Sequence, residues 1–289
     1  MKGRSVHLLM IVHSAISAGT YLAAKRALQE LGPIELALAR FVLAAGIYAA
    51  LVWRAGGGIE RRDWGKLLLL GVLGVTVNQL LFLAGMRLTT PGHGALLYAL
   101  APVFVFLMAR VRHGERATPA KVGGIALAFA GTAVVLLSRG MLSLGAGSPL
   151  LGDLSILLAV VAWSAFAVGG KRLAEKYGPT LGTGWVLLVG TLVYLPIGFG
   201  LGDLSRFRGL SAGAWVGVGY LVVMTNVVAW LLYSWALSRA EASRVAVWSN
   251  LQPVLTALLA WAMYGERLTA PFAAGGAMVL LGVLLTERG

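Results

Sequence analysis

The chain has 289 residues, of which 58% are hydrophobic and only 12% charged, with a mean hydropathy of +0.83. Soluble domains carry about 25% charged residues; half that charge cannot cover a water-facing surface, so the expected surroundings are lipid. The absence of cysteine excludes disulfide and thiolate chemistry. The net charge of +13 sits in short gaps between apolar runs, a pattern that suits topogenesis and anionic lipid headgroups rather than nucleic acid.

A helix rises about 1.5 Å per residue, so roughly 20 residues cross a bilayer core. The first run of that order, 6–24, ends at Lys25-Arg26 and lacks a convincing cleavage site, so it reads as a retained span. His13, Ser17 and Tyr21 recur on one face of it, which suits either the lining of a water-filled path or helix packing aided by Ser14 and Gly19. Span 2 (33–53) contains Arg40. An intramembrane arginine either holds a substrate carboxylate or phosphate, or is structural, snorkelling outward or bonding carbonyls at a helix end. Span 3 (65–86) carries Asn78 and Gln79 near its middle, as substrate contacts or as hydrogen-bonding glue between helices. Span 4 (91–110) holds Tyr98 and Pro102, and span 5 (119–138) holds Gly124 and Gly131.

A Gly- and Ser-containing loop, 139–151, follows. Span 6 (152–170) carries Trp163, span 7 (181–201) Trp185, and span 8 (213–237) Asn226 and Trp230. Span 9 (244–264) carries Trp248, Asn250, Gln252 and Pro253, and span 10 (270–286) carries Gly275 and Gly282. Tyr98 and the tryptophans are candidates for aromatic cavity walls or for interfacial anchors. Pro102 and Pro253, inside spans 4 and 9, each free a carbonyl and bend a helix, for gating or for static curvature. The four glycines are close-packing positions.

Sixteen of the 24 Lys and Arg residues fall in one set of alternate gaps and seven in the other. The richer set includes both ends, so both termini are predicted to be cytoplasmic in a bacterial-type inner membrane. The halves also repeat at an offset of about 150 residues. Lys25-Arg26 with Gly32-Pro33 matches Lys171-Arg172 with Gly178-Pro179. Leu100-Ala101-Pro102-Val103 matches Leu251-Gln252-Pro253-Val254, and Gly114-Glu115-Arg116 matches Gly265-Glu266-Arg267. Five spans per half is an odd number, so the second half is inverted, an arrangement typical of secondary transporters.

Ala39-Arg40-Phe41-Val42-Leu43, the paired Leu-x-Pro-Val segments and the paired Gly-Glu-Arg motifs make the chain resemble the EamA branch of the drug/metabolite transporter superfamily. The likeness runs over about 6–138 and 152–286. It implies two helical bundles around a central cavity and export or exchange of amino acids or related metabolites. The first repeat departs from the family pattern in having Ser17-Ala18 where Trp-Gly is frequent eight residues before the lysine, whereas the second keeps Trp163.

The reading is therefore an all-α membrane protein with ten transmembrane helices in two inverted five-helix repeats, 1–138 and 152–289, around a central cavity. Its partners are the lipid bilayer and a small-molecule substrate. No Walker A sequence and no metal-ligand cluster occur, so no cofactor is expected. Glu35 and Asp153 fall in first turns and no carboxylate occupies mid-span, which disfavours proton antiport through a central carboxylate. A carrier of a neutral, zwitterionic or anionic metabolite fits best. The competing reading is a membrane-embedded enzyme acting on lipid-linked phosphate or acyl groups.

Overall fold

The computed structural model describes residues 4–113, 118–137, 148–239, 245, 248, 251–265 and 269–288. Its regular structure is helical throughout: α1 (Arg4–Ala27), α2 (Pro33–Ala55), α3 (Trp64–Gly71), α4 (Asn78–Leu88), α5 (Pro91–Tyr98), α6 (Ala101–His113), α7 (Pro119–Leu137), α8 (Pro149–Leu201), α9 (Ala212–Tyr220), α10 (Trp230–Leu237), α11 (Leu251–Tyr264) and α12 (Ala270–Arg288). Proline opens α2, α5, α7 and α8, where its missing N–H costs no helical bond.

Six helical segments among the described residues are long and apolar enough to cross a bilayer. They run Leu8–Ala27, Pro33–Ala55, Arg61–Leu88, Pro91–Met108, Pro149–Leu201 and Ala212–Leu237. The 53-residue segment α8 is far longer than one crossing requires. It breaks at Gly178 (φ 78, ψ 165), a left-sided conformation that glycine adopts without penalty. Beyond the break, Gly182 lies against the Leu173 carbonyl, so the two arms fold back on each other.

Two boundaries differ from the sequence reading. The expected gap 171–180 is helical on both sides of Gly178, because its charges end the apolar run without ending the helix; Lys171 and Glu175 pair at 2.9 Å along it. The expected span 91–110 is interrupted by a turn at Ala99-Leu100, and Pro102 stands in the first turn of α6 rather than inside a continuous helix. Pro253 likewise stands in the first turn of α11. At such positions the absent N–H has no helical partner to lose.

Two segments wind as π-helix, Val72–Val77 between α3 and α4 and Leu221–Ala229 between α9 and α10. They lie about 150 residues apart, the spacing of the sequence repeat. One immediately precedes Asn78 and the other contains Asn226.

The distribution of side chains is the inverse of a soluble protein. Leu8, Trp53, Leu158, Leu192, Val216 and Leu258 face outward, while Arg40, Asn78, Gln79 and Asn226 are buried. Such an arrangement is stable where the outside is lipid and the interior satisfies the polar groups. The main core cluster draws on both halves of the chain, with Tyr21, Phe41, Tyr48 and Phe82 meeting Leu187, Tyr194, Val222 and Trp230. To one side α7 packs tightly on α12. A Cβ on Gly131 would meet the Gly275 carbonyl at 2.6 Å, and one on Gly282 would meet that of Gly124 at 2.5 Å, so these glycines permit backbone contact.

Candidate functional site

A cavity with about 640 Å³ of unfilled space, its open mouth included, lies between α1, α2, α4, α5, α6, α8, the segment 221–237 and α11. Its polar wall is built around Arg40, whose side chain is fully buried at 1% exposure. One guanidinium nitrogen donates to Gln79 Oε1 at 2.7 Å and the other terminal nitrogen to Asn226 Oδ1 at 2.6 Å. Gln79 then donates to Asn78 Oδ1 at 2.6 Å, and Asn78 donates to the Tyr98 hydroxyl at 2.7 Å and the Ala159 carbonyl at 2.8 Å. The relay ends with Tyr98 accepting, so the hydroxyl proton of Tyr98 remains available to the cavity. Tyr48 fixes the π segment by donating to the Asn226 carbonyl at 2.9 Å.

Two features set Arg40 apart. Its Nε is buried without a hydrogen-bond partner. Its neighbours are neutral amides, and among the described residues no carboxylate pairs with it. A buried charge of this kind is costly until an opposite charge joins it. The alternative in which Arg40 snorkels to a surface is excluded by its burial.

On the α1 side, His13, Ser17, Thr20 and Tyr21 all line the cavity. His13 Nδ1 lies 3.1 Å from the Ala229 carbonyl and its Nε2 3.4 Å from Ser17 Oγ. Thr20 and Thr225 share a hydroxyl–hydroxyl bond of 2.8 Å, and Tyr21 donates to Gln252 at 3.4 Å. The opposite wall is aromatic. Trp163 lies 5.1 Å from Phe166, 5.9 Å from Trp230 and 5.4 Å from Tyr233, centroid to centroid. Behind this cluster lies a second, apolar pocket that shares Trp163, Trp230 and Tyr233 with the first.

Of the candidate residues, His13, Ser17, Tyr21, Arg40, Asn78, Tyr98, Trp163 and Trp230 meet at the cavity, and Asn226 stands behind Arg40. Trp185 does not: it contacts Trp64 at 6.0 Å and its indole N–H donates to the Gly57 carbonyl, in the anchoring position open to any tryptophan near a helix end. Trp248 packs with Met10, Val105 and Tyr233 to one side, its carbonyl accepting from Ser14. Asn250 and the motif residues Glu115, Arg116, Glu266 and Arg267 lie outside the described residues. Pro102 and Pro253 adjoin lining residues, Ala101 and Gln252. The sequence reading missed Thr20, Phe82, Thr225 and Tyr233. Thr20 was visible in principle, lying on the face of α1 that already carried His13 and Ser17.

Polar ties join distant parts of the chain outside the cavity. At one face Ser211 donates its N–H and hydroxyl to Glu30. These bonds, with Arg26 adding to them, hold the Glu30 carboxyl below its ordinary range. At the other face Lys176 bridges Glu60 and Asp63 at 2.8 and 2.7 Å, and lowers the Glu60 carboxyl likewise.

An apolar exterior around a buried polar chamber defines a helical multi-pass membrane protein. The chain belongs to the EamA-like transporter family, whose model matches it twice, over residues 4–137 and 150–288. It is 30% identical to an uncharacterized transporter of Archaeoglobus fulgidus over 97% of this chain and 96% of that one. It is 25% identical to the uncharacterized transporter YyaM of Bacillus subtilis, over 98% and 94%. A probable terminal-alkyne amino-acid exporter of Streptantibioticus cattleyicolor is 27% identical, over 94% and 89%. A solved crystal structure shares the fold with a TM-score of 0.72 at 22% identity, covering 98% of this chain and 96% of the other. The protein is a transporter rather than an enzyme, and its partners are a small molecule and lipid.

Proposed function

We propose that the protein is a secondary carrier that exports or exchanges a small carboxylate-bearing metabolite, an amino acid or related anion, across the inner membrane. Ten crossings in two inverted units, 1–138 and 152–289 joined by 139–151, give it alternating access, with both termini in the cytoplasm. The paired family matches, the repeated motifs and the two π segments at one offset support that symmetry. The observation that carries the substrate class is Arg40, a buried cation with neutral partners and an unpartnered Nε on the cavity wall. A carboxylate supplies the missing charge and can engage two guanidinium nitrogens together. Tyr98 and the α1 hydroxyls serve the remaining polar groups of the substrate, and Trp163 with Trp230 covers its apolar part. Asn226 orients Arg40, and the helix starts that carry Pro102 and Pro253 are the points about which the two units rearrange. The amino-acid exporter among the relatives is in keeping with such a cargo.

The test is loss of a radiolabelled amino-acid and organic-acid panel from preloaded proteoliposomes containing the wild type or Arg40→Gln. Flux of at least one carboxylate above empty vesicles, abolished by the substitution, is expected. No flux for any panel member, or undiminished flux in the variant, overturns the assignment.

A further inference from the structure

A second buried polar cluster lies away from the cavity, where the end of α4 and the start of α5 meet the start of α8. Asp153 is fully buried, and its Oδ1 accepts from the Thr89 hydroxyl. Its Oδ2 lies 3.4 Å from His93 Nδ1, and His93 is 8% exposed. From α1, Lys25 reaches the same place and donates to the carbonyls of Met86, Arg87 and Thr89 at 3.0, 3.3 and 2.6 Å. From α12, Phe272 lies 5.2 Å from the His93 ring. The charged and titratable groups here, among the described residues, are therefore Lys25 from α1, Arg87 on the exposed side of α4, His93 from α5 and Asp153 from α8; α12 contributes only the aromatic ring.

A buried carboxylate facing a buried imidazole holds or loses one proton without creating an isolated charge, because Lys25 and the imidazole can each balance the carboxylate. Helix α8 packs on α5 and, closely, on α4, whose C-terminal cap is Thr89. A Cβ on Gly85 of α4 would meet the Gly152 carbonyl of α8 at 2.7 Å, and one on Gly152 would meet Leu88 of α4 at 2.8 Å. Helices α5 and α8 also lead to the cavity: His93 lies about 7.5 Å of helical rise from Tyr98 along α5, and Asp153 about 15 Å from Trp163 along α8.

We propose that His93 and Asp153 form a proton-binding site that sets how α5 and α8 meet, and so couples occupancy of the cavity to protons. The proton comes from water at the face where α1 ends and rests on the imidazole, which becomes an imidazolium paired with the carboxylate. Its departure leaves a neutral imidazole and returns the proton to water. A mid-span carboxylate is not required, since the site acts through two helices whose far ends line the chamber. The transport half of this proposal rests on the carrier reading; the proton half stands independently of it.

Two readouts on the full chain separate them. The first is the NMR response of histidine side chains, isotopically labelled, in nanodiscs across about pH 5 to 9. The sequence has four histidines, so the signal lost in His93→Gln is assignable. That signal is expected to titrate in the wild type and to be displaced in Asp153→Asn, with circular dichroism and size exclusion confirming that both variants remain folded. No titration in the wild type overturns the site, as does an unchanged response in a folded Asp153→Asn. The second readout is flux of the carboxylate panel with and without an imposed pH step. A wild-type flux that responds to the step several-fold, and variants that exchange at equal pH but ignore the step, are expected. Wild-type flux indifferent to the step overturns the coupling, whereas absence of all flux counts against the carrier reading and leaves the titration to decide the proton site.

Discussion

The two walls of the cavity are built on opposite physical principles. The Arg40 wall is a hydrogen-bonded relay: Arg40, Gln79, Asn78 and Tyr98 are fixed in series, and Asn226 holds the other side of the guanidinium. The Trp163 wall shows no such bonding among the described residues; its rings meet at tilted angles of 33–52°, a packing that tolerates adjustment. The first wall can recognise a charge in a fixed place, because its partners are preorganised. The second supplies apolar area whose detailed fit is negotiable. A transporter needs both properties, since the cargo must be recognised and then released.

Substitutions on each wall are expected to differ in size and in kind. The largest effect is expected from Arg40→Gln, which removes the charge but keeps hydrogen-bonding capacity. The loss for a carboxylate is expected to be about 2–5 kcal/mol, seen as flux indistinguishable from empty vesicles, with protein level and elution profile preserved. Next is Asn226→Ala. Loss of a hydrogen bond to a charged group amounts to about 1.5–3 kcal/mol, and it should appear both as weaker substrate affinity and as a lowered unfolding temperature, because the empty protein then keeps an even less satisfied guanidinium. Trp163→Ala is expected to weaken apparent affinity by about 3- to 10-fold, in line with an aromatic contact of about 0.5–1.5 kcal/mol, and more for cargo with a bulky apolar side chain than for a small one. A polar-wall effect that scaled with apolar bulk, or an aromatic-wall effect that depended on charge, would dissolve the distinction between the walls.

The smallest effect should come from outside the cavity. Glu30 is held below its ordinary range by Ser211. A carboxyl lowered in the folded state contributes stability above its unfolded value, and that contribution disappears as pH falls through the folded one. Ser211→Ala should therefore reduce thermal stability more at neutral pH than in acid, where only the loss of its N-cap bond from the Ala214 N–H remains, with carboxylate flux unchanged. A scan of unfolding temperature against pH checks this.

The site was legible where a polar residue interrupted an apolar run. Arg40, Asn78 and Asn226 stood out because lipid tolerates such groups only when they are partnered. Their mutual bonding was not legible, since Arg40 and Asn226 are brought together only by tertiary structure. Tryptophan gave a weaker signal: Trp163 and Trp185 look alike in sequence, yet one lines the chamber and the other anchors beside Gly57. Thr225 and Tyr233 were hidden because a threonine or tyrosine in an apolar helix is compatible with packing anywhere. The helix through Lys171–Lys176 was missed because hydropathy reports where lipid is, not where helical hydrogen bonds end. Asp153 was visible as a carboxylate in a first turn, but its burial against Thr89 and His93 depends on how α4, α5 and α8 meet.

The most direct test of the central claim compares matched cargo pairs, a carboxylate and its uncharged primary amide of the same size, in wild-type and Arg40→Gln proteoliposomes. Strong preference of the wild type for the acid, with the preference lost in the variant, is the predicted result. Equal transport of acid and amide by the wild type, or an undiminished preference for the acid after the arginine is replaced, would contradict it.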